Sequence, residues 1–215
     1  MPSKEKGLKN ATLLAAFLLI VWGFYRFIFK LPEELEELVI KPVIWLLPVY
    51  YLIKKERSGL GSIGISTKNL FPSVYFALIL GTVFAIEGVL INFVKYGEVN
   101  FSANIGVKTL FAALAISLAT AISEEIAFRG FIFNRVWYAL KSEWNANFIT
   151  SIAWALVHVP TALFWWDLPL QTTVGLLILT TIFGIGSSFV FARTRNVTSS
   201  ILLHLLWEWP IILFR

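Results

Sequence analysis

Residues 106–128 read GVKTLFAALAISLATAISEEIAF, and their composition indicates the fold class. A helix rises about 1.5 Å per residue, so about 20 predominantly apolar residues cross the ~30 Å hydrocarbon core of a bilayer. The stretch has that length and carries two adjacent carboxylates, Glu124 and Glu125, near its end. Ionisable groups inside a bilayer are costly and are the first candidates for function. The stretch therefore predicts a membrane-spanning helix that contains reactive groups.

The composition of the whole chain agrees with a membrane protein. Of its 215 residues, 58% are hydrophobic and 14% are charged, and the mean hydropathy is +0.76. Soluble domains carry about a quarter charged residues, so this chain falls well outside their range. We predict an all-α fold, a polytopic transmembrane helix bundle that forms a single integral membrane domain over residues 1–215.

Cysteine content and charge distribution exclude several classes of function. The chain has no cysteine, which excludes a disulfide framework, a thiolate metal site and a cysteine nucleophile. The net charge is +5, but the basic residues are scattered between apolar runs and form no basic stripe with interleaved aromatics. Orientation in a bilayer accounts for the same charges, so we expect no nucleic-acid partner.

About seven apolar runs have the size of a membrane span. They are Ala11 to Phe29, Leu38 to Ile53, Phe71 to Val94, Gly106 to Phe128, Ala146 to Phe164, Leu170 to Ala192 and Val197 to Phe214. The second run is short and contains Pro42 and Pro48, so we expect it to be kinked, tilted or re-entrant. The first run is longer than the apolar region of a signal peptide and is expected to remain as a helix. The brevity of the termini favours a prokaryotic plasma membrane.

Basic residues predict that the N-terminus is cytosolic and the C-terminus is outside. With this orientation, the cytosolic segments hold most of the basic residues: Lys4, Lys6, Lys9, Lys54, Lys55, Arg57, Lys68, Arg129, Arg135, Lys141, Arg193 and Arg195. The outer segments hold only Lys30, Lys95, Lys108 and Arg215. This asymmetry follows the positive-inside rule. Arg26 and Lys41 lie near span ends and are expected to extend towards the interface, and the acidic cluster of residues 33–37 is expected outside.

Five ionisable side chains of the later spans are predicted to lie at similar depths: Glu124, Glu125, His158, His204 and Glu208. Measured from the cytosolic boundaries, Glu124 and His204 lie about 8–9 Å deep, and His158 and Glu208 lie about 15 Å deep. Three helices therefore bring these groups together. Glu87 is alone in the third span, and structural and accessory roles both stay open for it.

Helical spacing separates the two adjacent carboxylates. Glu125 and Arg129 are four residues apart with the acid first, which favours an ion pair. Glu124 points about 100° away and is free to face another helix.

The histidine spans show the same spacing of four residues. His204 and Glu208 share one face of the last span, and Trp154 forms a predicted wall beside His158. Histidines and carboxylates at a membrane cavity suit a bound divalent metal or a general base that activates water, and both favour a hydrolase. Interhelical hydrogen bonds or a proton or ion pathway fit the same groups and stay open at this point.

Three motifs resemble those of a known family. Glu124 to Arg129 matches EExxxR, Trp154 to His158 resembles FxxxH with an aromatic exchange, and His204 to Glu208 resembles HxxxN with its last position changed. In these motifs, in this order, the chain is similar to the type II CAAX prenyl endopeptidase and bacteriocin-processing family of intramembrane metalloproteases. The family-like core covers about residues 106–210, and the first three spans match only in being hydrophobic.

The resemblance implies cleavage of a peptide bond within the membrane, in some members releasing three residues after a prenylated cysteine. The expected partners are a lipidated or hydrophobic peptide and membrane lipid. Glu124 would be the base that deprotonates water, and His158 and His204 would orient that water, ligate a metal or stabilise the oxyanion. Glu125 and Arg129 would form the supporting pair. Bound zinc, with His158, His204 and Glu208 as ligands, and metal-free activation by Glu124 both fit the motifs.

Glu208 departs from the family pattern. An asparagine at this position can donate an N–H to a developing oxyanion, whereas an ionised carboxylate cannot donate and repels it. A protonated Glu208, a metal-ligating Glu208 and a lost or altered activity are the three alternatives. A noncatalytic membrane adaptor or immunity-type protein of the same fold, and a proton-coupled transporter, are the alternatives to a peptidase.

Overall fold

A computed structural model describes residues 2–99 and 109–213, and these residues form seven helices that we number α1 to α7. They are α1 Lys4–Ile28, α2 residues 33–55, α3 Leu70–Tyr96, α4 Leu110–Leu140, α5 Glu143–Trp165, α6 Leu170–Thr194 and α7 Thr198–Leu213. Each predicted apolar run lies on one of these helices. The predicted start of the fourth run, at Gly106, and the end of the seventh, at Phe214, lie outside the described residues.

Five of these helices are long and apolar enough to cross a membrane, within the described ranges: α1, α3, α4, α5 and α6. The helical membrane bundle is therefore confirmed. The count of seven crossings and the orientation of the termini stay predictions.

The fourth helix is longer than the sequence predicted. The predicted run ended at Phe128, but α4 continues to Leu140, and Arg129 and Arg135 are buried inside the bundle. The placement of these two arginines in a cytosolic loop was therefore wrong. Both guanidinium groups pair with buried carboxylates, Arg129 with Glu125 and Arg135 with Glu56, and this pairing offsets the cost of removing them from water.

Four helices contain a π-helical segment, a feature that is frequent at functional sites. These segments are Leu18–Trp22 in α1, Glu36–Ile40 in α2, Ile126–Phe133 in α4 and Thr161–Trp165 in α5. The segment in α4 begins directly after Glu125, and the segment in α5 follows Pro160, which has no backbone N–H to donate. In α2 the irregular turn precedes the two prolines, and the chain stays helical through both.

Small residues allow close contact between the helices that carry the later motifs. A Cβ atom added at Gly81 of α3 would lie 2.4 Å from the Leu206 side chain of α7, and one added at Gly184 of α6 would lie 2.9 Å from Ser151 of α5. Small residues at helix interfaces are typical of membrane bundles. These contacts pack α7 against α3, and α6 against α5, the helix that carries His158.

A buried polar cluster ties the helices together at one end of the bundle. This cluster, which we call the Arg135 cluster, consists of Asn10, Glu56, Ser62 and Arg135. Arg135 donates to the Glu56 carboxylate at 2.9 and 3.3 Å and to the Ser62 carbonyl at 2.7 Å. The other Glu56 oxygen accepts from Asn10 at 2.9 Å. The cluster joins α1, α2 and α4 to the segment that precedes α3.

Candidate active site

Glu124 is buried near the middle of α4, and each of its carboxylate oxygens contacts a donor from another helix. The residue is 3% exposed. The Lys41 ammonium lies 2.6 Å from Oε1, and the Trp154 indole N–H donates to Oε2 at 2.9 Å. The carboxylate is therefore held from α2 on one side and from α5 on the other.

His158 lies beside Glu124 at the point where the regular turns of α5 end. Its Nδ1 is 2.9 Å from the Trp154 carbonyl oxygen, so Nδ1–H donates to that carbonyl and the neutral ring leaves Nε2 as an acceptor. Nε2 is 3.8 Å from Glu124 Oε2, too far for a direct hydrogen bond. The His158 side chain is 22% exposed, whereas that of Glu124 is 4% exposed.

Glu125 faces away from Glu124 and supports the second histidine. Its Oε1 lies 2.8 Å from His204 Nδ1, while Oε2 accepts from Ser187 Oγ at 2.7 Å and pairs with Arg129 Nε at 3.2 Å. The predicted ion pair of Glu125 and Arg129 is confirmed. The contact with His204 was not predicted, because it depends on how α7 packs against α4.

Trp154 lies between the two histidines. Its ring centroid is 4.8 Å from that of His158 and 5.8 Å from that of His204, both in edge-on geometry. The Arg129 guanidinium lies 4.3 Å from the centroid of the indole. The predicted convergence of the histidines and the predicted wall beside His158 are confirmed. The N–H bond from Trp154 to Glu124 was missed.

Glu208 lies on α7, and its carboxylate is not fully hydrogen-bonded within the described residues. Its Oε2 is buried and has no hydrogen-bond partner among the residues that the structure describes. A protonated donor, a metal ligand and an altered activity therefore stay open for this residue.

The described residues do not present a preformed set of metal ligands. In these ranges, no group of three or more His, Asp or Glu side chains is placed to hold one. The Lys41 ammonium occupies one oxygen of Glu124, which leaves that carboxylate fewer positions for a metal. We therefore derive no step through a metal. Zinc ligation by His158, His204 and Glu208 stays a prediction.

Arg26 and Lys41 are buried, contrary to the prediction from the sequence. Each is only 5% exposed, so the prediction that both extend to the interface was wrong. Arg26 pairs with Glu36 and with Glu37, the latter at 2.9 Å, and Lys41 pairs with Glu37 at 2.8 Å. Glu36 and Glu37 are buried as well, which corrects their placement in an outer loop.

The burial of this acidic and basic group has a physical reason. Opposite charges alternate along Glu36, Arg26, Glu37, Lys41 and Glu124, so each charge in the row contacts at least one of opposite sign. A local signal was present in the sequence, since Glu37 and Lys41 have the acid-first spacing of four residues.

Glu87 lies in a different environment. It lines an apolar groove along α3 with Val83, Ile86 and Leu90. Structural and accessory roles stay open for it.

The comparison with protein families gives a match over the second half of the chain. Residues 106–210 match the family model described as type II CAAX prenyl endopeptidase Rce1-like. This range contains Glu124, His158, His204 and Glu208, whereas Lys41 lies outside it. Neither the curated proteins nor the solved structures include a match to the chain.

Proposed function

Through residues 106–210 this chain belongs to the type II CAAX prenyl endopeptidase family, and from this premise we propose that it hydrolyses a peptide bond of a lipidated, CAAX-type peptide with water activated by Glu124. The family is one of membrane proteases, and it supports a membrane setting and a hydrophobic substrate. The prenylated substrate and the roles of individual residues are our proposal.

The observation that carries the proposal is the 3.8 Å gap between Glu124 Oε2 and His158 Nε2. Both atoms are acceptors when His158 is neutral and its Nδ1–H bonds to the Trp154 carbonyl. A water molecule at ordinary hydrogen-bond length, about 2.8 Å, from both atoms fits beside the line that joins them. Such a water donates one hydrogen to each acceptor and keeps its lone pairs free for attack.

The reaction then needs one proton acceptor and one donor. Glu124 takes a proton from the water as the water oxygen bonds to the carbonyl carbon, and the carbonyl oxygen becomes an oxyanion. When the C–N bond breaks, the Glu124 carboxyl returns its proton to the leaving amine. The products are a free amine and a new carboxylic acid, which then releases its proton to solvent, and Glu124 is regenerated as the carboxylate.

His204 is the candidate group for oxyanion stabilisation. Its Nδ1 is engaged with Glu125, which Arg129 and Ser187 also hold, so the ring is fixed in orientation. In its imidazolium form the ring donates Nδ1–H to Glu125 and also has Nε2–H as a donor. Donation to the developing charge lowers the barrier because it strengthens in the transition state.

The proposal is tested with purified protein in lipid nanodiscs and a peptide that ends in a farnesylated cysteine and three further residues. We expect release of the C-terminal tripeptide, detected by mass spectrometry. An equally hydrophobic peptide without the prenyl group measures how far the lipid determines selection. Absence of any product from either peptide contradicts the proposal, and proton-driven flux in liposomes without cleavage would favour the transporter instead.

Glu208→Gln, combined with metal analysis of the same preparation, separates the roles of Glu208. If Glu208 is a zinc ligand, the substitution lowers the metal content. If Glu208 is a protonated donor, the glutamine retains much of the activity. Unchanged metal content together with unchanged activity dismisses both roles.

A further inference from the structure

Lys41 brings a buried ammonium into the site from a helix that the family match does not cover. The residue is 5% exposed, and its Nζ lies 2.8 Å from Glu37 of α2 and 2.6 Å from Glu124 of α4. An ammonium is removed from water at high cost unless it is paired. Here it is paired twice, with one carboxylate on its own helix and one on the candidate base.

The surroundings of Lys41 keep its charge from being screened. The rings of Trp22 and Trp45 lie 5.6 and 5.8 Å from its Nζ, close enough for cation–π attraction. Both tryptophans are almost fully buried. The ion pair with Glu124 therefore forms in a water-poor environment, where a charge-assisted hydrogen bond is strongest.

Two parallel links join α2 to the same face of α4. Glu37 accepts a hydrogen bond from Thr120 Oγ1 at 2.6 Å, and Lys41 contacts Glu124 at 2.6 Å. Thr120 and Glu124 are one helical turn apart. The first link holds the helices together without touching the base, so only the second bears directly on Glu124.

The contact at Oε1 determines what the other oxygen of Glu124 can do. With Lys41 on Oε1 and Trp154 on Oε2, the plane of the carboxylate is fixed. The remaining lone pair of Oε2 is then left for the gap at His158. Without the ammonium, the carboxylate keeps the Trp154 bond but can rotate about it.

We propose that Lys41 is a positioning residue that fixes Glu124 for attack by water, and that the N-terminal helices thereby complete the active site. This inference rests on the proposed hydrolase function. Arg26 extends the arrangement, because its guanidinium holds the other oxygen of Glu37 at 2.9 Å. Glu37 is therefore itself held in place and can orient Lys41.

The test compares Lys41→Met with Lys41→Arg in the peptide-cleavage assay. Methionine keeps an unbranched chain of similar length but has no charge. We expect Lys41→Met to lower kcat about 100-fold, since displacement of a catalytic group by about 1 Å has an effect of that order, with KM unchanged within about threefold. Lys41→Arg keeps the charge and is expected to recover at least about a tenth of the lost rate.

Two matched controls separate positioning from helix packing. Lys54→Met removes an exposed lysine of the same helix and is expected to leave kcat unchanged. Thr120→Val removes the hydrogen bond to the Glu37 oxygen that Lys41 also contacts, so some loss of kcat is expected. The loss should be no more than about fivefold, because the direct contact of Lys41 with Glu124 remains. If Thr120→Val lowers kcat as much as Lys41→Met does, the direct contact of Lys41 with Glu124 contributes nothing of its own and the inference is overturned.

Further outcomes of the cleavage assay distinguish failure of the inference from failure of the proposed function. If the wild type cleaves the peptide and Lys41→Met has an unchanged kcat, the inference is overturned and the proposed function stands. If the wild type does not cleave the peptide, both the proposed function and the inference are overturned. If Lys41→Met does not fold, the double variant Lys41→Met with Glu37→Gln removes the stranded charge on α2. In this folded variant, a loss of kcat at unchanged KM supports the inference, and a wild-type kcat overturns it.

Discussion

Two buried ionic clusters in this protein differ in how completely their polar atoms are paired. In the Arg135 cluster, all three guanidinium nitrogens donate and both Glu56 oxygens accept. Around Glu124, three buried side-chain atoms have no hydrogen-bond partner in the described part of the chain: Arg129 NH1 and NH2 and Glu208 Oε2. Both clusters connect helices, but only the cluster around Glu124 leaves buried polar atoms that water or substrate can pair with.

The largest effect is expected from the base. Glu124→Gln keeps the shape of the side chain but cannot accept a proton, so we expect kcat to fall about 10³-fold while the protein still folds. Glu124→Ala should likewise abolish cleavage. Peptide release in nanodiscs measures the effect, with the exposed Glu5→Gln as the control. Full activity in Glu124→Gln would remove this residue from the mechanism.

The fully paired cluster is expected to affect stability instead of rate. Arg135→Met leaves the Glu56 charge buried without its partner, and the free energy of unfolding should fall by about 3 kcal/mol. Activity per folded molecule should stay within about twofold of the wild type. Thermal unfolding in detergent checks the first expectation, with exposed Arg57→Met as the control. A lower kcat at unchanged stability would mean that this cluster also belongs to the site.

A smaller effect is expected at the indole that contacts the base. Trp154→Phe keeps an aromatic ring between the two histidines but removes the N–H that donates to Glu124. Hydrogen bonds to charged groups contribute about 1.5–3 kcal/mol, so we expect kcat to fall about 10-fold or more. Exposed Trp144→Phe on the same helix is the control. An unchanged kcat would show that Lys41 alone is sufficient to hold Glu124.

The smallest effect is expected at the support of His204. Ser187→Ala removes one of three partners of Glu125, and we expect kcat to fall about fivefold, equivalent to about 1 kcal/mol for one hydrogen bond. The neighbouring Ser188 hydroxyl is buried and lacks a hydrogen-bond partner within the described residues. Ser188→Ala should therefore be neutral. Equal losses in the two variants would point to packing of α6 and not to the Glu125 contact.

Features that lie within one helix could be predicted from the sequence. The ion pair of Glu125 and Arg129 and the wall that Trp154 forms beside His158 follow from a spacing of four residues. The apolar runs likewise predicted a helix at each of seven places. Helical periodicity and bilayer thickness are local constraints, so a single sequence is sufficient to apply them.

Features that join distant helices could not be predicted in this way. The contact of Lys41 with Glu124 and that of Glu125 with His204 depend on which helix faces are packed together. The rule for snorkelling side chains considers each charge alone, and it placed Arg26 and Lys41 at the interface. Both are buried because each meets a carboxylate from another turn or another helix.

We propose that water held beside Glu124 and His158 is the nucleophile. Single-turnover cleavage in ¹⁸O-labelled water tests this assignment. Mass spectrometry of the prenylated product reports the origin of the new carboxylate oxygen. We predict that this carboxylate contains one ¹⁸O atom after the first turnover and that Glu124→Gln forms product about 10³-fold more slowly. An unlabelled carboxylate in the first turnover would contradict the account, because the oxygen would then come from the protein.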